Sequence, residues 1–192
     1  MEHDEITELA LAAGRGDGAA TAAFVRATQG DVWRYVAYLV DRANADDLTQ
    51  ETYLRALRGL RTFRAQTTAR IWLLSIARRV VVDHFRRQGR RPAVVASLDG
   101  DDVGGDRLRQ VGDSAEEVSM RLLIASLDPD KRDAFVLTQV HGLSYAEAAQ
   151  ACGVPIGTIR SRMARAREHL VAELAEPLQQ ADGRRQRLRP PR

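Results

Sequence analysis

The stretch from Leu143 to Met163 constrains the fold more than any other part of the chain. Ser144 and Glu147 stand at the Ser-x-x-Glu spacing of a capping box, in which each side chain satisfies a free backbone N–H of the other residue. A helix therefore starts there. Gly153 supplies the left-handed residue that ends a helix, and Pro155 suits the first turn of the next. Ala148 and Ala149 are small enough to let two helices cross closely. In the second helix Ile156, Ile159, Met163 and Ala166 fall on one side. Thr158, Arg160, Ser161, Arg162 and Arg165 lie outside that stripe. Two short helices, a tight turn and an arginine-rich outer face predict a helix-turn-helix whose second helix enters a DNA major groove. The competing reading is a helical hairpin with merely solvated arginines, but cap, turn and charged face agree on the first.

Helical periodicity recurs along most of the remaining length and no segment alternates convincingly as a strand, so the fold class is all-α. An apolar content of 44% with only 5% aromatics makes the expected core aliphatic. Charge is distributed in blocks. Residues 1–60 hold ten acids and six arginines, or −4; residues 61–92 hold nine arginines and Asp83, or +8. Residues 93–117 hold seven acids and two arginines, or −5, and residues 177–192 carry five arginines and Asp182, or +4. Such blocks point to different partners for different segments. Lys131 is the one lysine among 29 basic residues, a bias that suits phosphate and base-edge recognition and that genomic base composition also produces. The single Cys152 excludes an internal disulfide and a zinc cluster, and its place on a helix suits packing. His3, His84, His141 and His169 lack metal-ligand spacing, and no nucleophile or phosphate-loop constellation is present, so no metal, cofactor or enzymatic activity is expected. The acidic start lacks the features of a signal peptide and no apolar run approaches membrane-spanning length; a cytoplasmic protein without membrane attachment is expected.

In the N-terminal part, helices are predicted over residues 4–13, Ala19 to Val40, Asn44 to Gly59 and Thr68 to Gln88. The second buries Phe24, Val25, Thr28, Val32, Tyr35, Val36 and Leu39, with Trp33 and Tyr38 added to the same core. The third takes Asn44 as N-cap, turns Tyr53, Leu54 and Leu57 inward, and leaves Asp47, Gln50, Glu51 and Arg55 towards solvent. The fourth buries Leu73, Ile76, Ala77 and Val80. Trp72, Arg79, Asp83 and Arg86 share another face, at offsets of seven, eleven and fourteen. Arginines in line with a tryptophan suit a surface that stacks unpaired bases and holds their backbone, whereas Trp72 fits the core equally well.

Residues 93–113 show little periodicity, and their glycines and five aspartates predict a flexible acidic linker behind a boundary at Pro92. Beyond it Ser114 and Glu117 form a second possible capping box, opening a helix with Val118, Leu122 and Leu123 inward. Asp128 caps the next helix with Pro129 at its first position; Phe135, Val136, Leu137 and Val140 are its buried residues. The helix-turn-helix completes a four-helix C-terminal domain, and the basic tail after Pro177 is expected to be disordered. The fold is thus two small helical domains joined by a linker: residues 1–92, 93–113, 114–176 and the tail 177–192.

Three blocks carry a resemblance to the extracytoplasmic-function sigma factors of bacterial RNA polymerase, in the sigma-70 family, with details similar to the actinobacterial sigma-C type. Residues 45–57, Ala-Asp-Asp-Leu-Thr-Gln-Glu-Thr-Tyr-Leu-Arg-Ala-Leu, look like the part of region 2 that docks on the polymerase clamp helices. Residues 69–87 look like the part that opens and reads the −10 element, and residues 142–167 look like the region 4 helix-turn-helix that binds the −35 element. The resemblance implies a promoter-specificity subunit whose partners are the RNA polymerase core, through its beta and beta-prime subunits, and promoter DNA. An anti-sigma protein that clamps both domains is a further partner common in the family. Carried onto this chain, it makes Asp46, Asp47, Gln50, Glu51 and Arg55 the core-binding residues. Trp72, Arg78, Arg79, Asp83, Arg86 and Arg87 become the −10 residues, and Thr158, Arg160, Ser161, Arg162 and Arg165 the −35 residues. Arg79 departs from the asparagine that many members carry there, which leaves the base preference at that position open. The rival readings are a free-standing helix-turn-helix regulator and an RNA-binding protein using the Trp72 face.

Overall fold

A computed structural model describes residues 3–89 and 115–187, and every described element is helical. The expected boundary at Pro92, the linker 93–113, the Ser114 cap and the last residues of the tail lie outside the described residues. The first unit comprises α1 (His3–Gly14), α2 (Gly18–Leu39), α3 (Arg42–Gly59) and α4 (Ala69–Arg87), with a single 3₁₀ turn at Leu60–Thr62 after α3. The second comprises α5 (Ala115–Ala125), α6 (Pro129–Phe135), α7 (Tyr145–Cys152) and α8 (Ile156–Arg187). A π-helical segment, Val136–Val140, prolongs α6.

Caps explain where the helices begin. Asp17 accepts a hydrogen bond from the Ala20 N–H at 2.9 Å and starts α2. Helix α3 starts earlier than expected because Asp41, not Asn44, is its cap: the Asp41 carboxylate accepts both the backbone N–H and the side-chain amide of Asn44. Thr68 caps α4. Asp128 occupies the N-cap of α6 with Pro129 behind it, but its carboxylate turns to Lys131 instead of capping. Helix α8 does not stop at Pro177 but runs to Arg187, into the segment expected to be a disordered tail. The residues after the proline, Leu178-Gln179-Gln180-Ala181, are strong helix formers.

The buried stripes follow helical spacing. Phe24, Thr28, Val32, Tyr35, Val36 and Leu39 of α2 meet Leu73, Leu74, Ala77 and Val80 of α4 and Ala45, Leu48, Tyr53 and Ala56 of α3. The Thr28 and Tyr53 hydroxyls satisfy each other at 2.7 Å inside this core. Four expectations fail at the edges. Leu54 and Leu57 face solvent, as do Leu122 and Ile156. Trp33 does pack against the core as expected, half-buried, with its indole N–H donating to Asp46 at 2.8 Å. Leu48 and Ala45 already fill the inner face of α3, and Ile124 with Leu127 fill the space where α5 ends. The outlying residues therefore have no room inside.

The two units pack directly on each other. One apolar core runs from Ile6 in α1 to Met163 in α8, and a smaller cluster of Leu127, Ala166 and Leu170 closes the far end. Helices α4 and α7 meet along this junction, and α2 touches α5 and α6. His141 lies buried in it, its ring edge-on to Tyr35 at 5.8 Å and neither ring nitrogen bonded. Burial pushes its pKa down from 6.5 to about 4; Asp31 acts against the shift, and Arg70 and Arg34 reinforce it. The neutral ring is therefore the form that packs. Stability from this site is complete above pH 6.5 and is lost as pH falls towards 4, at about 1.4 kcal/mol per pH unit in that window. Thermal unfolding of the wild-type chain should destabilise more steeply between pH 6.5 and 5 than that of His141→Leu, which has nothing to protonate. Parallel curves would remove His141 from the account.

Candidate nucleic-acid and polymerase interface

The helix-turn-helix is built as its sequence requires. The Ser144 hydroxyl accepts from the Glu147 N–H at 3.2 Å, while the Glu147 carboxylate accepts from the Ser144 N–H at 2.7 Å. Gly153 sits at φ 66°, ψ 37°, a left-handed conformation that costs glycine nothing. Ile159, Met163 and Ala166 anchor α8 on α6 and α7, so its opposite face points outward. Arg160, Ser161 and Arg165 are exposed there and Thr158 is half-buried beside them. Arg162 differs. Its side chain is only 18% exposed and donates to Asp130 of α6 at 2.7 Å, bracing α8 against α6 instead of lying open on its surface. Arg167, not among the expected residues, is exposed one turn beyond the buried Met163 and donates to the Tyr145 hydroxyl at 3.3 Å.

On α4 the expected −10 residues separate into three settings. Arg79, Arg86 and Arg87 are exposed. Trp72 is half-buried, its ring 4.9 Å from that of Phe63 at 41°, and it lies against Gly59, where a Cβ would come within 3.1 Å of the indole. Its inner edge thus packs while the rest of the side chain stays accessible. Arg78 points away from the other arginines into the junction between the units, where its Nε donates to Asp133. Asp83 is held by Arg55 of α3 at 2.7 Å, and this hydrogen bond keeps its carboxyl below the usual range.

Arg55 also binds Glu51 at 2.8 Å, so it joins the α3 face to the α4 face. Asp47 and Gln50 are exposed, Glu51 is partly so, and Asp46 is engaged by Trp33. Between them stand two residues that sequence reasoning placed inside: Leu54 is 53% exposed and Leu57 38%. The signal was present in the helical spacing. Leu54 follows Gln50 by four residues and Glu51 by three, which puts it on their face of α3.

Sigma-70 region 2 matches residues 24–91 and Sigma-70, region 4 matches residues 117–170. Over 177 residues the chain is 50% identical to ECF RNA polymerase sigma factor SigC of Mycobacterium tuberculosis, covering 92% of this chain and 94% of that protein. The chain belongs to the extracytoplasmic-function sigma factors. It is also 33% identical over 156 residues to RNA polymerase sigma-H factor of Pseudomonas aeruginosa, covering 76% of this chain and 81% of that one. Among solved structures it is similar to CnrH in complex with the cytosolic domain of CnrY, at TM-score 0.66 and 26% identity, over 91% of this chain and 99% of that chain. It is likewise similar to the sigma factor RpoE bound to the anti-sigma factor NepR from Bartonella quintana, at TM-score 0.63 and 27% identity, over 79% and 94% of the two chains.

The sigma factor accordingly directs promoter-specific transcription initiation, as a regulator of RNA polymerase. No described helix is long and apolar enough to cross a membrane. The Ser144 cap starts α7, the helix on which α8 packs. Ser144→Ala should lower unfolding stability by about 1 kcal/mol, read as a reduced urea midpoint at unchanged slope. No shift of the midpoint would mean that the cap contributes nothing measurable.

Proposed function

We propose that this sigma factor docks on the polymerase core through α3 and grips the promoter at two points, with α4 on the −10 strand and α8 on the −35 duplex. The observation that carries this reading is the separation of three outward faces on one scaffold. An acidic face with exposed leucines lies on α3, the half-buried Trp72 and the exposed Arg79, Arg86 and Arg87 on α4, and Arg160, Ser161 and Arg165 on α8. The domains behind this division are residues 1–92 and 114–176, with the acidic segment 93–113 threading between them through the polymerase and 177–192 as a basic extension.

Each face suits its target by chemistry. On α8 a guanidinium reads a guanine edge through two parallel donors, while neighbouring hydroxyls hold phosphates. Thr158 and Ser161 supply such hydroxyls, and Arg162 positions the helix through Asp130. On α4, Arg79, Arg86 and Arg87 follow the backbone of an unpaired strand, and the accessible part of Trp72 offers an aromatic contact to a base. On α3, Asp47, Gln50, Glu51 and Arg55 form a polar rim around Leu54 and Leu57, the arrangement of an interface with an apolar centre. The chain supplies no catalysis; the core does. It acts in the cytoplasm, and an anti-sigma protein of the kind bound to RpoE is a further partner.

Transcription from a promoter library with purified core tests the proposal: the sigma factor should add specific start sites, and none above core alone would end it. Arg160→Ala should cost about 1–3 kcal/mol on the preferred −35 sequence and less on others. Equal loss on every sequence would make it a phosphate contact. Leu54→Ala should weaken core binding by about 1–2 kcal/mol with little change in thermal stability, and Glu51→Lys should do so while leaving DNA binding intact. Unchanged core affinity in both would move the docking face elsewhere.

A further inference from the structure

Helix α8 carries arginines on both shoulders of its outward face, and the fold treats the two shoulders differently. Ile159, Met163 and Ala166 bury one stripe. At 3.6 residues per turn, Ser161 lies nearly opposite that stripe, Arg160 and Arg167 fall on one flank, and Thr158 and Arg162 fall on the other. The first flank meets α7, where Arg167 donates to the neutral Tyr145 hydroxyl at 3.3 Å. The second meets α6, where Arg162 Nη2 is paired with a carboxylate, Asp130 Oδ2, at 2.7 Å. In this pair the acid is the open member. Asp130 is 63% exposed, whereas Arg162 is 18% exposed and its Nη1 is buried without a hydrogen-bond partner.

Stability does not account for the arrangement. An ion pair with so exposed an acid contributes little, and an unbonded buried donor works against it. What the pair changes is the charge that α8 offers to DNA. A helix seated in a major groove turns its outermost residues to base edges and its shoulders to the phosphate walls. Arg162 stands on a shoulder, where a free guanidinium binds a phosphate whatever the sequence. Paired with Asp130 it brings no net charge there, and the exposed carboxylate repels the backbone.

We propose that Asp130 withholds Arg162 from the DNA backbone, so that α8 makes one phosphate contact fewer than its arginines allow. The inference rests on the reading of α8 as the −35 helix. Asp130 is thus a positioning residue, acting through Arg162 and not by touching DNA. The hold on every sequence is weaker, and the base contacts of Arg160 are a larger share of what remains.

The test uses the full chain assembled with polymerase core, on two duplexes that differ only in the −35 sequence, over a fourfold range of salt. Asp130→Asn keeps an oxygen that Arg162 can bind and removes the charge. One added phosphate contact steepens the fall of log affinity with log salt by about 0.9, so this variant should lose about 3.5-fold more affinity across the range than wild type. It should do so on both duplexes and bind both more tightly at the low-salt end. Adding Arg162→Gln should restore the wild-type slope. A purely structural brace predicts weaker binding of Asp130→Asn at unchanged slope, and that result overturns the proposal. So does a double variant flatter than wild type by a full contact, which makes Arg162 a phosphate ligand already. If circular dichroism shows the double variant unfolded, Asp130→Asn decides alone. Wild-type holoenzyme that ignores the −35 sequence defeats the reading of α8 instead, and the Asp130→Asn slope still decides whether Arg162 is withheld.

Discussion

A carboxylate buried between two helical units is costly unless its surroundings repay the lost hydration, and Asp133 is repaid from three elements at once. The Arg78 guanidinium neutralises it, the Tyr35 hydroxyl fills one oxygen and the Cys152 thiol approaches the other. The consequences run both ways. Burial works against the charge of Arg78, but the carboxylate outweighs it and holds the guanidinium above its ordinary range. Burial, then the same carboxylate, raises Tyr35 and pushes the Cys152 thiol up to about 12, so both stay protonated as donors. An intact buried pair of this kind is close to neutral against an apolar replacement, whereas leaving one partner unpaired costs about 3–5 kcal/mol. Its effect is therefore less adhesion than register: the units meet in the one arrangement that satisfies Asp133.

This explains which parts of the structure could be read from sequence. The capping box at Ser144, the turn at Gly153 and the stripe of Ile159, Met163 and Ala166 are set by residues within one or two turns of each other, and periodicity exposes them. Asp133 meets Tyr35 across 98 residues and Arg78 across 55. No local pattern encodes such a meeting. The residues on either side of Asp133 mark it as one more charge on an amphipathic helix. Asn44 failed for a smaller reason: Asp41, three residues earlier, is an equally good cap and starts the helix first.

The basic block from 61 to 92 shows the same limit in another form. Its charge of +8 reads as one nucleic-acid surface, yet the helix divides the arginines by direction. Arg70 and Arg78 turn into the junction and bind Asp31 and Asp133, while Arg79, Arg86 and Arg87 stay outside. Net charge counts both sets alike. Only the packing of α4 against α2 and the second unit, which brings Asp31 and Asp133 to Arg70 and Arg78, tells them apart.

Arg55 makes the complementary case on the exposed side. Its bonds to Glu51 and Asp83 lie at a partly solvated surface, where ion pairs contribute little to stability. Their effect is positional. Arg55 stands on the helix proposed to meet the polymerase and holds the one acid of the helix proposed to meet the −10 strand. A protein surface that took Glu51 for itself would leave Arg55 to Asp83 alone. One that took Arg55 would free Asp83 beside Arg86 and Arg87, lowering the positive potential that attracts a phosphate backbone. In the assembly proposed above, docking and strand capture are coupled through a single guanidinium, and the sign of that coupling depends on which member of the pair the core engages.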